Sequence, residues 1–120
     1  MGLRETLQIE TVDKGDGDAR ATMKAGSDHV NDGGIVHGGA VATLADCAMG
    51  SAVCTTLDDE VPLTVEMKVN YLEPAQEGGL VATARVRRRG KRFIVVEAEG
   101  VQADGGDMVA YATATFTAVP

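Results

Sequence analysis

The stretch that decides the fold is residues 38–57, which read GGAVATLADCAMGSAVCTTL. Its apolar residues recur at helical spacing, at Val41, Leu44, Ala45, Ala48 and Ala52. This period predicts a helix from Gly38 to about Thr56, ended by the acidic run that begins at Asp58. Because the helix is apolar nearly all round, we expect it to be buried on most sides.

Asp46 is the only charged residue of this helix, and the polar, glycine-rich residues 31–37 lead into it. A carboxylate in apolar surroundings costs free energy unless it is paired or used in chemistry. We therefore expect Asp46 to have a chemical role, with partners that lie outside its own helix and even outside its own chain.

Alternating apolar and polar residues on both sides of the helix predict strands. They lie at about residues 6–13, 19–25, 63–72, 80–88, 92–101 and 108–119. Short turns between successive strands imply an antiparallel sheet. The prediction is a single α+β domain over residues 1–120, in which a curved sheet of five or six strands wraps one long central helix. Open sheet edges around one helix also lead us to expect an oligomer.

The charge distribution limits the classes of partner. A formal net charge of −7 argues against nucleic-acid binding, which needs a basic surface. One basic run remains, Arg85–Arg92, which holds six of the eleven Lys and Arg residues. It is either an anion site or a solvated hairpin, and charge alone leaves both open.

The cysteines and the N-terminus bear on location. Cys47 and Cys54 lie seven residues apart on the predicted helix, about 10 Å and too far for a disulfide, so both are expected to be small buried side chains. The residues MGLRETLQIE have no apolar signal region, and no run is long enough to span a membrane. We expect a cytoplasmic protein that does not enter a membrane.

Seven residues at one end of the helix carry a family resemblance: Asn31, His37, Gly38, Gly39, Thr43, Leu44 and Asp46. They resemble the signature of the hotdog-fold acyl-CoA thioesterases, and most closely that of the phenylacetate-type (PaaI-like) branch. The resemblance continues in residues 64–75 (TVEMKVNYLEPA), in the turn Arg89-Gly90-Lys91 and in residues 108–116 (MVAYATATF). It implies a hotdog fold and the hydrolysis of an aryl- or short- to medium-chain acyl-CoA to free acid and CoA.

The resemblance assigns the two central roles. Gly38 opens the helix, where unpaired backbone N–H groups favour negative charge, so its N–H is the expected donor to the thioester oxygen. Without a Cβ it would also let the substrate come close to the backbone. Asp46 is the expected general base or nucleophile. By resemblance, these two groups come from different subunits of a dimer.

Three further residues match catalytic positions of the family. Asn31 is expected to position the water or the carbonyl, and Thr64 to orient the water. His37 matches a histidine that polarises or positions the thioester near its sulfur. A turn histidine bonded to backbone is the alternative for His37.

The remaining assignments concern substrate binding and assembly. Gly39 and Met49 lie on the Asp46 face of the helix and are expected to line the acyl group. Arg89, Gly90, Lys91 and Arg92 are expected to meet the CoA phosphates through charge and backbone N–H. No metal or cofactor is expected. A homodimer is the minimum assembly, and a tetramer made of two dimers is the expected one.

Two other functions use the same fold. Asp32 and His37 have the spacing of hotdog hydratases, but the Asn-Pro expected before the histidine is missing and Asp46 would have no role. A non-catalytic acyl-CoA binder is the second alternative. Known hotdog sensors carry an added DNA-binding segment, and 120 residues are expected to be too few to hold one beside the domain.

Overall fold

The computed structural model describes residues 2–120, which form two α-helices, a short 3-10 helix and six strands. In chain order these are α1 (Leu3–Thr6), β1 (Ile9–Gly15), β2 (Asp18–Ala25), the 3-10 helix (Ser27–His29), α2 (Gly38–Cys54), β3 (Val61–Tyr71), β4 (Gly78–Arg89), β5 (Ile94–Gln102) and β6 (Met108–Val119). The predicted helix and all six predicted strands are present, whereas α1 and the 3-10 helix were not predicted.

The strands form one antiparallel sheet in the order β1-β2-β4-β5-β6-β3. The sheet is curved but does not close into a barrel, so β1 and β3 are its edges. Helix α2 follows the β1–β2 hairpin in the chain and packs against the sheet, chiefly on β2 and β4. This confirms the expected α+β hotdog fold.

Small side chains let α2 lie close to the sheet. Eight of its 17 residues are buried, at Ala40, Val41, Leu44, Ala45, Ala48, Met49, Ala52 and Val53. The facing strands supply alanines at alternate positions, such as Ala82, Ala84 and Ala98. The opposite side of α2 is only partly covered, because an unclosed sheet reaches around one side of a helix. Seven other residues of α2 are half-buried and only Gly39 and Cys54 are exposed, so the helix is covered on most sides, though incompletely on the side of Asp46.

Helix α2 ends two residues earlier than predicted, where backbone and threonine hydroxyl groups bond its last carbonyls. The hydroxyl of Thr55 donates to the carbonyl of Ala52, and that of Thr56 donates to Val53, each at 2.7 Å. The same two carbonyls accept the backbone N–H groups of Thr55 and Thr56, three residues further on, so the last turn is tighter than an α-helix.

The cysteines are both free thiols. Cys47 is half-buried and Cys54 is exposed, so only the first is close to the buried environment that was expected for both. Burial raises the pKa of the Cys47 thiol, against an opposing effect of the nearby Arg4 guanidinium. Within residues 2–120, no helix has the length and hydropathy that a membrane span needs.

A β-bulge in edge strand β3 changes which side chains face the helix. The register against β6 shifts between Thr64 and Glu66, so that Val65 is the additional residue. Before the bulge Thr64 is half-buried while Leu63 is exposed, and after it Met67 and Val69 take the half-buried positions. The bulge thus ends one alternating segment just where Thr64 faces α2.

Candidate active site

Asp46 and Thr64 form the central contact of the candidate site. The Thr64 hydroxyl donates to Asp46 Oδ1 at 2.7 Å, and both residues are half-buried. This bond fixes one carboxylate oxygen and leaves Oδ2 to act on another group. The expectation that the partners of Asp46 lie outside its own chain is therefore corrected, because β3 of the same chain supplies one.

His37 caps the N-terminus of α2. Its Nδ1 accepts the backbone N–H of Gly39 at 2.9 Å, and its ring is exposed. A nitrogen that accepts a hydrogen bond carries no proton, so the neutral ring holds its proton on Nε2. The structure thus shows the backbone-bonded turn histidine, and that same bond leaves Nε2–H as a donor on an exposed ring.

Gly38 is covered by Tyr71, the last residue of β3. The Tyr71 hydroxyl donates to the Gly38 carbonyl at 2.8 Å, and a Cβ on Gly38 would lie 3.3 Å from Tyr71 Cζ. The space beside the Gly38 Cα is therefore filled by a phenol ring, and it is not the open approach for a substrate that was expected. As the first residue of the helix, Gly38 still has an N–H without an acceptor inside the helix.

Asn31 holds the loop that precedes α2. Its Oδ1 accepts the N–H of Gly33 at 2.9 Å and that of Ile35 at 3.3 Å. Because the side-chain oxygen is already used in the loop, its amide NH₂ is the group that remains for a ligand.

Two clefts flank the N-terminus of α2. One, of about 350 Å³, runs between Asn31, Gly38 and Tyr71 and is lined further on by Leu72 and Pro74. The other is lined by Leu3 and Leu7 on one side and by His37, Gly39 and Thr43 on the other. The helix N-terminus thus brings together Asn31, His37, Gly38 and Gly39, four of the predicted site residues.

Asp46 lines neither cleft. It follows Gly38 by eight residues, which at roughly 1.5 Å per residue puts it about 12 Å further along the helix. Within a single chain, the expected oxyanion donor and the expected acid therefore lie about 12 Å apart along α2.

Met49 is placed in the core. It is completely buried, and it packs with the other buried residues of α2 and the sheet. The Met49 side chain therefore exposes no surface in the single chain with which it could make the predicted contact to an acyl group.

The basic run divides into paired and turn residues. Arg85 lies 3.5 Å from Asp18 and Arg87 lies 3.3 Å from Glu97. Both arginines therefore form ion pairs on the outer face of the sheet. Arg89, Lys91 and Arg92 lie at the exposed β4–β5 turn.

Gly90 has a structural role in that turn. Its N–H donates to the Phe93 carbonyl at 3.0 Å, and a Cβ would lie only 2.6 Å from the same oxygen. The Gly90 N–H is therefore used within the turn. It is not available to a phosphate, contrary to the expectation that it would bind one.

Sheet register places this turn at the Thr64 end of the molecule. Thr64 pairs with Phe116, Phe116 with Ile94, and Ile94 with Arg89. Three strand spacings of roughly 4.8 Å separate the two ends of this row, or about 14 Å.

Within residues 2–120, no group of three or more His, Cys, Asp and Glu side chains is arranged to hold a metal.

Tyr71 is the residue of this region that sequence reasoning did not single out. It lies in the segment VNYLEPA, and nothing in that pattern shows that a side chain at the end of β3 reaches the first turn of α2. One long helix lying on a curved antiparallel sheet is the architecture of the hotdog class of protein, and the acid bonded to Thr64 lies on that helix.

Comparison with known proteins agrees with this class. A model of the thioesterase superfamily matches residues 33–109. Acyl-coenzyme A thioesterase 13 of Homo sapiens is 30% identical over 104 residues, which cover 86% of this chain and 74% of that protein.

Solved structures give the same result. A conserved protein from Pseudomonas aeruginosa superposes with a TM-score of 0.93 at 34% identity, covering 99% of this chain and 94% of that one. The E. coli PaaI protein from the phenylacetic acid degradation operon superposes with a TM-score of 0.89 at 26% identity, covering 98% and 83%. The chain belongs to the thioesterase superfamily and is a thioester hydrolase, and its resemblance to the PaaI-like branch is confirmed.

Proposed function

We propose that this protein hydrolyses an aryl- or short- to medium-chain acyl-CoA to the free acid and CoA. The observation that carries the proposal is the Thr64–Asp46 hydrogen bond, which fixes the only carboxylate of the central helix. The family match and the likeness to a human acyl-CoA thioesterase support the choice of substrate class.

The proposed chemistry divides between two groups. Asp46 acts through Oδ2, either as general base on a water or as nucleophile on the thioester carbon. The carbonyl oxygen gains negative charge in that step, and the Gly38 N–H at the positive end of α2 stabilises it. His37, through Nε2–H, and Asn31, through its amide, position the thioester. A carboxylate and backbone N–H groups supply both functions, so no metal or cofactor is required.

We further propose that two subunits complete each site. Strand β3 is an edge of the sheet and exposes the apolar side chains of Val61, Leu63 and Val65, and the Asp46 side of α2 is only partly covered. In a two-fold dimer with antiparallel β3 edges, the Tyr71 end of one strand faces the Thr64 end of the other. Gly38 of one subunit then approaches Asp46 of its partner, and the separation within one chain is overcome.

We also propose roles for the basic β4–β5 turn, for the domain as a whole and for its assembly. Arg89, Lys91 and Arg92 bind the CoA phosphates by charge, since all three are exposed at the β4–β5 turn and Arg89 lies in the row that contains Thr64. Residues 1–120 act as one domain, pairs of dimers form a tetramer, and the two free thiols suit a reducing cytoplasm.

Thiol release from a panel of aryl-, short- and medium-chain acyl-CoAs tests the function. Asp46→Asn should lower kcat by about a hundredfold or more, because the amide can still accept the Thr64 bond but cannot act as base or nucleophile. Asp59→Asn is the matched control, since Asp59 is an exposed carboxylate beyond the helix, and it should keep wild-type kcat.

Three outcomes would contradict the proposal. They are wild-type turnover by Asp46→Asn, binding of acyl-CoA without turnover, and addition of water to a crotonyl-type CoA without release of thiol. The last would identify a hydratase.

A further inference from the structure

We propose that Tyr71 is a positioning residue that acts through the Gly38–Gly39 peptide to hold His37 with its proton on Nε2. The inference rests on the proposed thioester hydrolysis, in which His37 donates from Nε2, but its structural part can be measured without a substrate.

One peptide group connects the two side chains. The carbonyl of Gly38 accepts the Tyr71 hydroxyl at 2.8 Å, and the N–H of the same peptide, that of Gly39, donates to His37 Nδ1 at 2.9 Å. A hydrogen bond to an amide carbonyl polarises the amide and strengthens its N–H as a donor. The Tyr71 hydroxyl therefore strengthens the bond that keeps Nδ1 free of a proton.

The two glycines make room for this arrangement in different ways. A Cβ on Gly38 would lie 3.3 Å from Tyr71 Cζ, and a Cβ on Gly39 would lie 3.1 Å from His37 Nδ1. The first glycine lets the phenol ring lie against the helix N-terminus, and the second lets the imidazole fold back over it. The His-Gly-Gly sequence thus carries a tyrosine–peptide–histidine chain.

The fold holds Tyr71 firmly in position. Tyr71 pairs with Ala110 of β6, and the following N–H, that of Leu72, donates to the Val109 carbonyl at 2.9 Å. Because β3 is paired with β6 at every residue from Glu66 to Tyr71, the Tyr71 hydroxyl approaches the helix from a rigid base. His37, by contrast, lies exposed at the cap and depends on its bond to Gly39 for its orientation.

The competing tautomer shows what the chain of bonds prevents. With its proton on Nδ1, His37 would present a donor to the Gly39 N–H, and the ring would have to turn away. Nε2 would then become an acceptor, which cannot donate to a thioester oxygen or sulfur.

Tyr71→Phe isolates the hydroxyl, because the ring over Gly38 is kept. We expect kcat to fall about three- to tenfold with KM within about twofold of wild type, as for the loss of one hydrogen bond. Tyr111→Phe is the matched control. It removes the other tyrosine hydroxyl of the chain, which donates to Glu97 at 2.7 Å on β5, and it should change neither parameter.

The readout that a merely structural role would not move is the imidazole tautomer. Two-bond proton–nitrogen NMR spectra in mildly alkaline buffer, where imidazole is neutral, distinguish Nε2–H from Nδ1–H. We expect the Nε2–H share of His37 to fall in Tyr71→Phe. His29 is an internal reference, since its Nδ1 accepts the Gly26 N–H at 3.0 Å and its Nε2 bonds to the Leu7 carbonyl at 2.9 Å.

An unchanged His37 tautomer in Tyr71→Phe would overturn the inference, even if kcat fell. A raised KM at unchanged kcat would also overturn it, because Tyr71 would then contact the substrate directly, and so would an equal loss in Tyr111→Phe. If the wild-type protein hydrolysed no thioester, the proposed function would fail, and the tautomer measurement would still decide the structural claim.

Discussion

At the scale of single residues, the proposed chemistry is divided between two short motifs on α2. Gly38 and His37 lie at its N-terminus, and Asp46 lies eight residues further on, bonded to Thr64. The residue types and their order along the chain predicted both motifs. The Thr64–Asp46 bond itself could not be predicted, because it depends on the bulge that directs Thr64 toward the helix.

Gly38 allows the proposed oxyanion donor to be removed without a change of helix. Proline is favoured at the first helical position, and His37 before it has φ −58° and ψ 135°, a conformation that suits a residue preceding proline. Gly38→Pro removes the N–H and adds the proline ring, and we expect kcat to fall by about a hundredfold. The measurement is steady-state kinetics together with a melting temperature.

Gly38→Ala is the control for that change. It places the same Cβ 3.3 Å from the Tyr71 ring but keeps the N–H. We expect it to retain most of the wild-type kcat after the ring moves by a few tenths of an ångström. Equal losses in the two variants would show that crowding by the Cβ, and not the N–H, is what matters.

At the scale of elements, apolar periodicity and turn residues predicted the helix and all six strands to within a few residues. Two features were outside the reach of periodicity. Helix α1 has only four residues, too few to show a period, and the order of strands in the sheet arises from pairing between distant segments. Hydropathy also showed that α2 is apolar nearly all round, but it could not show that the same chain covers the Asp46 side only in part.

The β4–β5 turn is the element whose proposed role is easiest to isolate. Arg89→Ala and Lys91→Ala should each raise KM for acyl-CoA severalfold at unchanged kcat, because both contribute charge to binding and their turn lies away from Thr64, with Arg89 about 14 Å from it. The effect should shrink as salt is added. Lys14→Ala, at an exposed cation on edge strand β1, is the control and should leave KM unchanged. A lower kcat at constant KM in the turn variants would remove the turn from the binding role.

At the scale of the whole molecule, one chain holds both halves of the proposed site but keeps them about 12 Å apart along α2. It also leaves an apolar edge strand and the Asp46 side of its helix partly uncovered. The residues of the proposed site follow from the family resemblance of the sequence. The resemblance also implied a site shared by two subunits, but the surfaces that would meet could not be derived from residue patterns, because no pattern within one chain records which surface contacts its copy.

Mixing two inactive variants tests the shared site most directly. Asp46→Asn and Gly38→Pro are unfolded together, refolded as an equal mixture, and assayed for thiol release. In a mixed dimer, one site combines both defects and the other combines an intact Asp46 with an intact Gly38. Random pairing makes half of the dimers mixed, so activity should recover to about one quarter of the wild-type value. If each site were built from a single chain, every site in the mixture would carry a defect, and activity no higher than that of the separate variants would contradict the account.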